Sequence, residues 1–396
     1  MGQILHLGVG NFFRAHQAWY TQFCPGWSVT GVSFRTSSVR DGLAAQGYRY
    51  TLVIKGTDGT RTQDINCLRD MLVATEDPAA VVNRIAASDT DIITLTVTEK
   101  GYCLDRAGVL DLTHPDIAAD LRGEALSAIG ALARGLARRQ EPVTVLSCDN
   151  LPENGRKLEA AVQRFAEAAG LTTHATVAFP ACMVDRITPA TTDAVRAEAA
   201  DPMAVPTEAF SEWVIENRFA NARPDWPGVQ WVDDVASHEM RKLRMLNGAH
   251  SYLAYAGLTR GHDYVHEAVA DPVLRAGATA LMGEAAETLP RDLRDRAAEY
   301  AAALLHRFDN PNLHHRLDQI AMDGSEKMPI RIVAALGDRG SAASPALAAA
   351  VDAWVRFARA EVAAGRAVRD PKSDQIAAAC NATDPDAALR AIIMPG

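Results

Sequence analysis

The chain has 396 residues, 48% hydrophobic and 22% charged, with 40 basic against 49 acidic side chains and a net charge of −9. That balance excludes wholesale disorder and gives no general attraction to nucleic acid or to an anionic membrane. Six dispersed cysteines without a CxxC pair exclude a zinc knuckle and a disulfide-stapled secreted domain, and no apolar run approaches the roughly 18 residues that cross a bilayer. The start, MGQILHLGVG, lacks the basic region and cleavage site of a signal peptide, so a cytoplasmic enzyme is the expectation.

The first half alternates short apolar or β-branched runs with helical patterns. Strands are predicted at Gln3–Val9, Trp27–Phe34, Tyr50–Lys55, Asp91–Thr98, Pro142–Cys148 and Thr173–Phe179, and helices at Asp116–Arg138 and Asn154–Ala169. Continuous apolar strands separated by helices indicate a doubly wound α/β domain of Rossmann type. After about Ser237 the chain turns rich in Ala, Leu, Glu and Arg at helical spacing, as in Met240–Arg260, Pro272–Glu287, Leu293–Phe308 and Ser344–Ala364. Two domains are expected: residues 1–234 for a dinucleotide and residues 235–396, all helical, for substrate and catalysis.

The first strand runs into Gly8-Val9-Gly10-Asn11-Phe12-Phe13-Arg14. Glycines at the first and third positions of such a turn let the backbone approach a pyrophosphate, and the strand–turn–helix context is the one the motif needs. Phe13 stands where a third glycine is usual. The second strand ends Ser33-Phe34-Arg35-Thr36-Ser37-Ser38 with no acid for a ribose, and Asp41 lies inside the next helix. Arg35 with its serines could accept a 2′-phosphate, so NAD and NADP both stay open.

A second segment, His238 to Ser251, carries Lys242, Asn247 and His250. At about 100° per residue, Asn247 and His250 fall at roughly +140° and +80° from Lys242, within one arc. Oxidising an alcohol needs a base for the hydroxyl proton and donors for the developing alkoxide. A desolvated lysine can serve as that base. The same spacing also suits an amphipathic helix with Lys242 and Arg244 solvated and His250 in the core.

Seven blocks, in order along nearly the whole chain, resemble one family. They are GVGNFFRAH (8–16), TLTVTEKGY (94–102), SCDN (147–150) with Asn154-Gly155, FPACMVDRITP (179–189), WVIENRF (213–219), KLRMLNGAH (242–250) and DGSEKMP (323–329). The chain is identified on these as a member of the polyol-specific long-chain dehydrogenases, the mannitol 2-dehydrogenase, fructuronate (mannonate) and tagaturonate (altronate) reductase family. The resemblance implies a metal-independent, NAD(P)-linked oxidation of a secondary alcohol in a linear sugar alcohol or sugar acid. It implies Lys242 as general base, Asn150 and Asn247 as the pair holding the reacting oxygen, and His250 as a substrate contact. It places Asp185, Lys327 and Arg316 at the substrate, with Arg186 beside Asp185. Gly8, Gly10, Asn11, Phe12, Arg14, Arg35, Thr98, Glu99 and Lys100 are the expected cofactor residues. No metal ligands are expected, and a monomer is favoured. A dinucleotide-sensing protein without catalysis is the alternative on the same fold.

Overall fold

Continuous apolar strands shed water on both faces only when a sheet is covered on both sides. The computed structural model, which describes residues 2–105, 107–124 and 126–394, builds such a sheet from them. The chain divides into two units, Met1–Ala236 and Ser237–Gly396.

The strands of the first unit are β1 (Gly2–Leu7), β2 (Trp27–Ser33), β3 (Tyr50–Gly56), β4 (Gly59–Ile65), β5 (Leu68–Val73), β6 (Ile92–Leu95), β7 (Val143–Ser147), β8 (Val177–Ala178), β9 (Cys182–Asp185), β10 (Val205–Glu208), β11 (Glu212–Glu216) and β12 (Gln230–Val232). Six of them form a parallel sheet in the order β5-β2-β1-β6-β7-β8. The chain winds outward from β1 in one direction through β2 and β5, then in the other through β6, β7 and β8. The reversal point therefore lies between β1 and β6, where α/β proteins bind ligands at the strands' carboxyl ends. Successive side chains alternate between faces. Leu5, Leu7, Val32, Ile93, Leu95 and Val145 share one core with the helices Pro78–Ala86, Ala128–Arg138 and Asn154–Ala168. Ile4, Val29, Ile92 and Leu146 enter another with Phe13, Tyr50 and Trp213.

Two small sheets complete this unit. β3 leaves the parallel sheet and joins β10-β3-β4, while β9, β11 and β12 form the third. The sequence gives no apolar signal for β4, GTRTQDI, because it is a largely exposed hairpin arm whose register with β3 comes from backbone pairing across Thr57-Asp58. The helix expected over Asp116–Arg138 is two helices, Pro115–Leu121 and Ala128–Arg138. The break is chemical: Asp120 accepts from the Ser127 N–H and hydroxyl, and Ser127 Oγ in turn caps the second helix through the Gly130 N–H at 2.9 Å.

Among its described residues the second unit consists of helices joined by loops, with no strand and one isolated bridge between Tyr264 and Arg316, around one core centred on Leu253, Tyr255, Leu281 and Trp354. Its regularity is broken twice, by π-helical turns at Lys242–Asn247 and Pro329–Val333 that pack against each other. Among the described residues no helix is long and apolar enough to cross a membrane.

Candidate active site

β1 runs directly into Gly8, whose φ of +97° belongs to the region that favours glycine, and a Cβ there would lie 2.3 Å from the Thr96 carbonyl oxygen. Beneath this turn sits His6, fully buried and stacked on Phe13 at 3.7 Å. Its Nδ1 lies 2.7 Å from Thr94 Oγ1, and its Nε2 lies 2.9 Å from Thr96 Oγ1 and 3.2 Å from the Gly8 carbonyl. Burial pushes His6 down to about 3, so the ring is neutral at physiological pH and one nitrogen donates while the other accepts. The turn is thus braced from below before any ligand arrives.

Above it opens a cavity of about 640 Å³ at the reversal point of the sheet, lined by Gly8, Gly10, Thr96, Thr98, Arg35 and Lys100 among others. Apolar lining comes from Phe34, Ala74, Pro78 and Leu126. Gly10 is extended, at φ −102° and ψ −174°, and a Cβ built on it meets no atom within 4 Å. The space a side chain would fill is open toward the cavity, as close backbone approach to a pyrophosphate requires. These observations fit a dinucleotide. The two glycines therefore separate fold from ligand. Gly8→Ala is expected to lose about 2–4 kcal/mol of stability from a left-handed alanine and the overlap with Thr96. Gly10→Ala is expected to keep its melting temperature and bind NADH at least tenfold more weakly, about 1.4 kcal/mol. Denaturant melts and fluorescence titrations of both variants check this.

Of the expected cofactor residues, Gly8, Gly10, Arg35, Thr98 and Lys100 line that cavity; Asn11, Phe12, Arg14 and Glu99 do not. Arg14 is buried and turned the other way, donating to the Met203 carbonyl at 2.7 Å and to Asn11 Oδ1 at 2.6 Å, with its guanidinium over the Tyr50 ring. Asn11 Nδ2 donates to Thr191 Oγ1 at 3.1 Å. Phe12 packs into the core and stacks on His16 at 5.1 Å. The helix expected after the glycine loop is two short ones, Asn11–Ala15 and Gln17–Thr21, so these side chains tie the loop to β10 and its neighbours. Glu99 is exposed in a single 3-10 turn, Glu99–Tyr102.

Thr98 is held at φ +65°, a conformation an L-residue adopts at a cost of order 1–2 kcal/mol. Asp149 is the clamp: its carboxylate accepts from the Val97 and Thr98 N–H groups at 3.0 and 2.8 Å and from the Tyr102 hydroxyl at 2.9 Å. Burial pushes its carboxyl up to about 6 against those three donors. Asn154 is also internal, donating to the Asp149 and Cys182 carbonyls and accepting from the Cys182 N–H. Asn150 follows at the carboxyl edge of β7 and is exposed. Asp185 ends β9, buried, opposite Glu212. Arg186 is a strut, with its guanidinium 4.7 Å over Trp19 and bonded to the Ala15 and Glu208 carbonyls. Near the cavity rim, Cys103, His114 and Asp116 bring one ligand-type atom each within 4.8 Å of one another. His114 Nδ1 there caps Asp116 N–H, and burial pushes the Cys103 thiol up to about 11, which keeps it protonated.

In the second unit, Lys242 and Asn247 are the first and last residues of the π turn. A turn closed by i→i+5 bonds stacks residues five apart. Asn247 therefore stands one turn above Lys242, where regular α-helical geometry would separate them by roughly 140°. Lys242, Asn247 and His250 are each less than a tenth exposed. Neither cation of the helix is solvated, which removes the plain amphipathic alternative: Arg244 is also buried and pairs with Asp338 at 2.7 Å. Asn247 Nδ2 and His250 Nε2 are buried without a hydrogen-bond partner among the described residues. Both residues line a cavity of about 220 Å³ with His315, Gln319, Ile320, Lys327 and Arg331. Burial, then the charges of His315, Arg307, Arg331 and Lys242, hold His250 well below its ordinary value, so it is neutral. Lys327 reaches the cavity from the helix Gly324–Met328, its Nζ donating to the Ile320 carbonyl at 3.4 Å. Arg316 does not line it: its guanidinium is exposed and chelates Asp318 at 2.8 and 3.1 Å.

Comparison with known proteins identifies the family of this fold. Residues 2–228 match the mannitol dehydrogenase Rossmann domain and residues 234–393 the mannitol dehydrogenase C-terminal domain. The chain belongs to the mannitol dehydrogenase family. It is 40% identical to the D-mannonate oxidoreductase of Escherichia coli over 92% of this chain and 82% of that one. It is 38% identical to the mannitol 2-dehydrogenase of Pyrenophora tritici-repentis over 95% and 73%. The structure of Pseudomonas fluorescens mannitol 2-dehydrogenase in ternary complex with NAD and D-mannitol superimposes with a TM-score of 0.84 at 31% identity, covering 99% of this chain and 91% of that one. Within this mannitol dehydrogenase fold, four residues near the two cavities escape a motif reading. His6 braces backbone from inside a run that looks merely apolar, and Asp149 braces it from within SCDN, where the resemblance assigns a role to Asn150 alone. Gln319 and Arg331 reach the cavity from segments whose spacing carries no signal.

Proposed function

We propose that the chain is a nicotinamide-dinucleotide-linked oxidoreductase that interconverts a secondary alcohol of a linear polyol or aldonate with the ketose or ketouronate, without a metal. The observation that carries this reading is the pair of buried, unpartnered atoms, Asn247 Nδ2 and His250 Nε2, on one small cavity beside the π turn of Lys242. Buried polar atoms are almost always satisfied, so a ligand that bonds to both is the natural complement.

Gly8 and Gly10 hold the dinucleotide's phosphates, with Thr98 and Lys100 toward its nicotinamide end. The dinucleotide, when bound, supplies the two-electron acceptor, and the Pseudomonas fluorescens relative, held in a ternary complex with NAD and D-mannitol, supports that choice. Lys242 takes the hydroxyl proton. Asn247 donates to the reacting oxygen as negative charge develops on it, and the resemblance gives Asn150 the same task. Neutral His250 orients the hydroxyl rather than titrating against it.

Two cations, Lys327 and Arg331, line the substrate cavity, which favours a carboxylate-bearing substrate over a neutral polyol. Steady-state rates with mannonate, altronate, mannitol, arabinitol and sorbitol test this. At least one is expected to turn over, and an aldonate is expected to exceed every polyol by tenfold or more in kcat/KM. A polyol as best substrate refutes the carboxylate assignment. Dinucleotide binding without turnover of any sugar alcohol or acid refutes the enzyme.

A further inference from the structure

The adenosine end of the large cavity carries an unused charge. Its wall at the end of β2 is Ser33, Phe34 and Arg35, and at the end of β5 Ala74 and Thr75. In a doubly wound fold an acid in this region binds the ribose 2′-hydroxyl, whereas an arginine accommodates a 2′-phosphate. The carboxylates that follow these two strands, Asp41 and Glu76, do not line the cavity. Arg40 engages both: it chelates Glu76 at 2.9 Å through both nitrogens and pairs with Asp41, which also accepts from Ser37 Oγ at 2.6 Å. Of the acids on the cavity wall, Glu124 is held by Arg122 at 2.7 Å, and Asp116, on the helix Pro115–Leu121, is grouped with Cys103 and His114. The Arg35 guanidinium makes no ion pair and no hydrogen bond among the described residues, and only its carbonyl is engaged, by Thr75 Oγ1 at 3.5 Å.

We propose that Arg35 binds a 2′-phosphate on the adenosine ribose, so that the chain holds NADP(H) more tightly than NAD(H). This rests on the dinucleotide-linked reading above. A planar guanidinium matches a phosphate with two parallel N–H···O bonds, and a site that keeps its local carboxylates neutralised by Arg40 does not repel the two added charges. An unphosphorylated ribose would leave that cation unpaired, since the acids that follow β2 and β5 are held by Arg40.

Fluorescence titrations of the full chain with NADPH and NADH test it, at low and at raised salt. The wild type is expected to bind NADPH about tenfold or more tightly, with the preference shrinking as salt screens the phosphate. Arg35→Ala is expected to lower the NADPH-to-NADH affinity ratio by about 10–100-fold, and Arg35→Lys by less. The side chain is exposed, and retained binding of NADH reports that the variant is folded. Tighter NADH binding by the wild type, or an Arg35→Ala ratio equal to the wild-type ratio, overturns the proposal and leaves the dinucleotide-linked reading intact. Failure of the wild type to bind either nucleotide overturns both.

Discussion

Lys242→Ala is expected to lower turnover by about 10²–10⁴-fold while NADH binds as before. The lysine stands less than a tenth exposed at the start of a π turn, five residues before Asn247, and it is not among the residues that line the dinucleotide cavity. Removing it deletes the proton acceptor but leaves the orienting atoms, Asn247 Nδ2 and His250 Nε2, in place. The loss should therefore fall on kcat rather than on KM. Lys242→Arg is an informative partner: the charge stays, but guanidinium does not deprotonate in a protein, so turnover should stay as low as in the alanine variant. Near wild-type turnover in either variant would remove Lys242 as the base. Primary amines added to Lys242→Ala supply an external base, and a rate that rises with amine concentration would identify the missing group as a proton acceptor.

Much of this arrangement is legible in the chain, and the illegible part has a common cause. Apolar strands and helical periodicity report burial, so the parallel sheet and the helical unit can be read from them. β4 cannot, because its pairing is backbone to backbone and its side chains are polar and exposed. At the site, glycines and strand ends locate the dinucleotide cavity because the turn demands them. The direction in which Asn11, Phe12 and Arg14 point is set by Thr191, the core and Met203, each distant in sequence. The motif GVGNFFRAH thus combines two functions, ligand approach at its glycines and bracing at its later residues, and spacing does not tell them apart. The lysine segment shows the opposite case. Regular helical geometry places Lys242, Asn247 and His250 in one arc, yet the alignment of the first two comes from an i→i+5 turn that no periodicity announces. Arg316 illustrates a third limit: a cation in the right stretch of chain is claimed by Asp318 two residues away.

Acid should destabilise the first unit through His6, opposed in part by Asp149, whose carboxyl burial pushes up to about 6 and which therefore adds stability as pH falls below that value. The ring is fully buried and neutral in the folded chain, held down to about 3, while in the unfolded chain it titrates near its ordinary 6.5. Between those values the unfolded state binds more protons, so stability is full above about 6.5 and falls as pH drops. The slope is about 1.4 kcal/mol per pH unit for this one group, about 2 kcal/mol by pH 5 and on the order of 5 kcal/mol by pH 3. In the second unit His315, pushed down to about 4 by burial and then by Arg307, adds a loss of the same sign that ends sooner. The effect also reaches the site. A proton on His6 turns both ring nitrogens into donors, so Nδ1 can no longer accept from Thr94, and a charge appears directly beneath the Gly8 turn. Because the folded ring takes that proton only near pH 3, dinucleotide affinity should hold over the range where stability falls. His6→Gln keeps a donor and an acceptor but cannot titrate. It is expected to be less stable than the wild type at pH 7.5, through loss of stacking on Phe13, and to close that gap by about 1.4 kcal/mol for each unit below 6.5. Urea melts of both proteins from pH 7.5 to 4.5 measure the gap, and a gap that stays constant would show that His6 is not neutral in the fold.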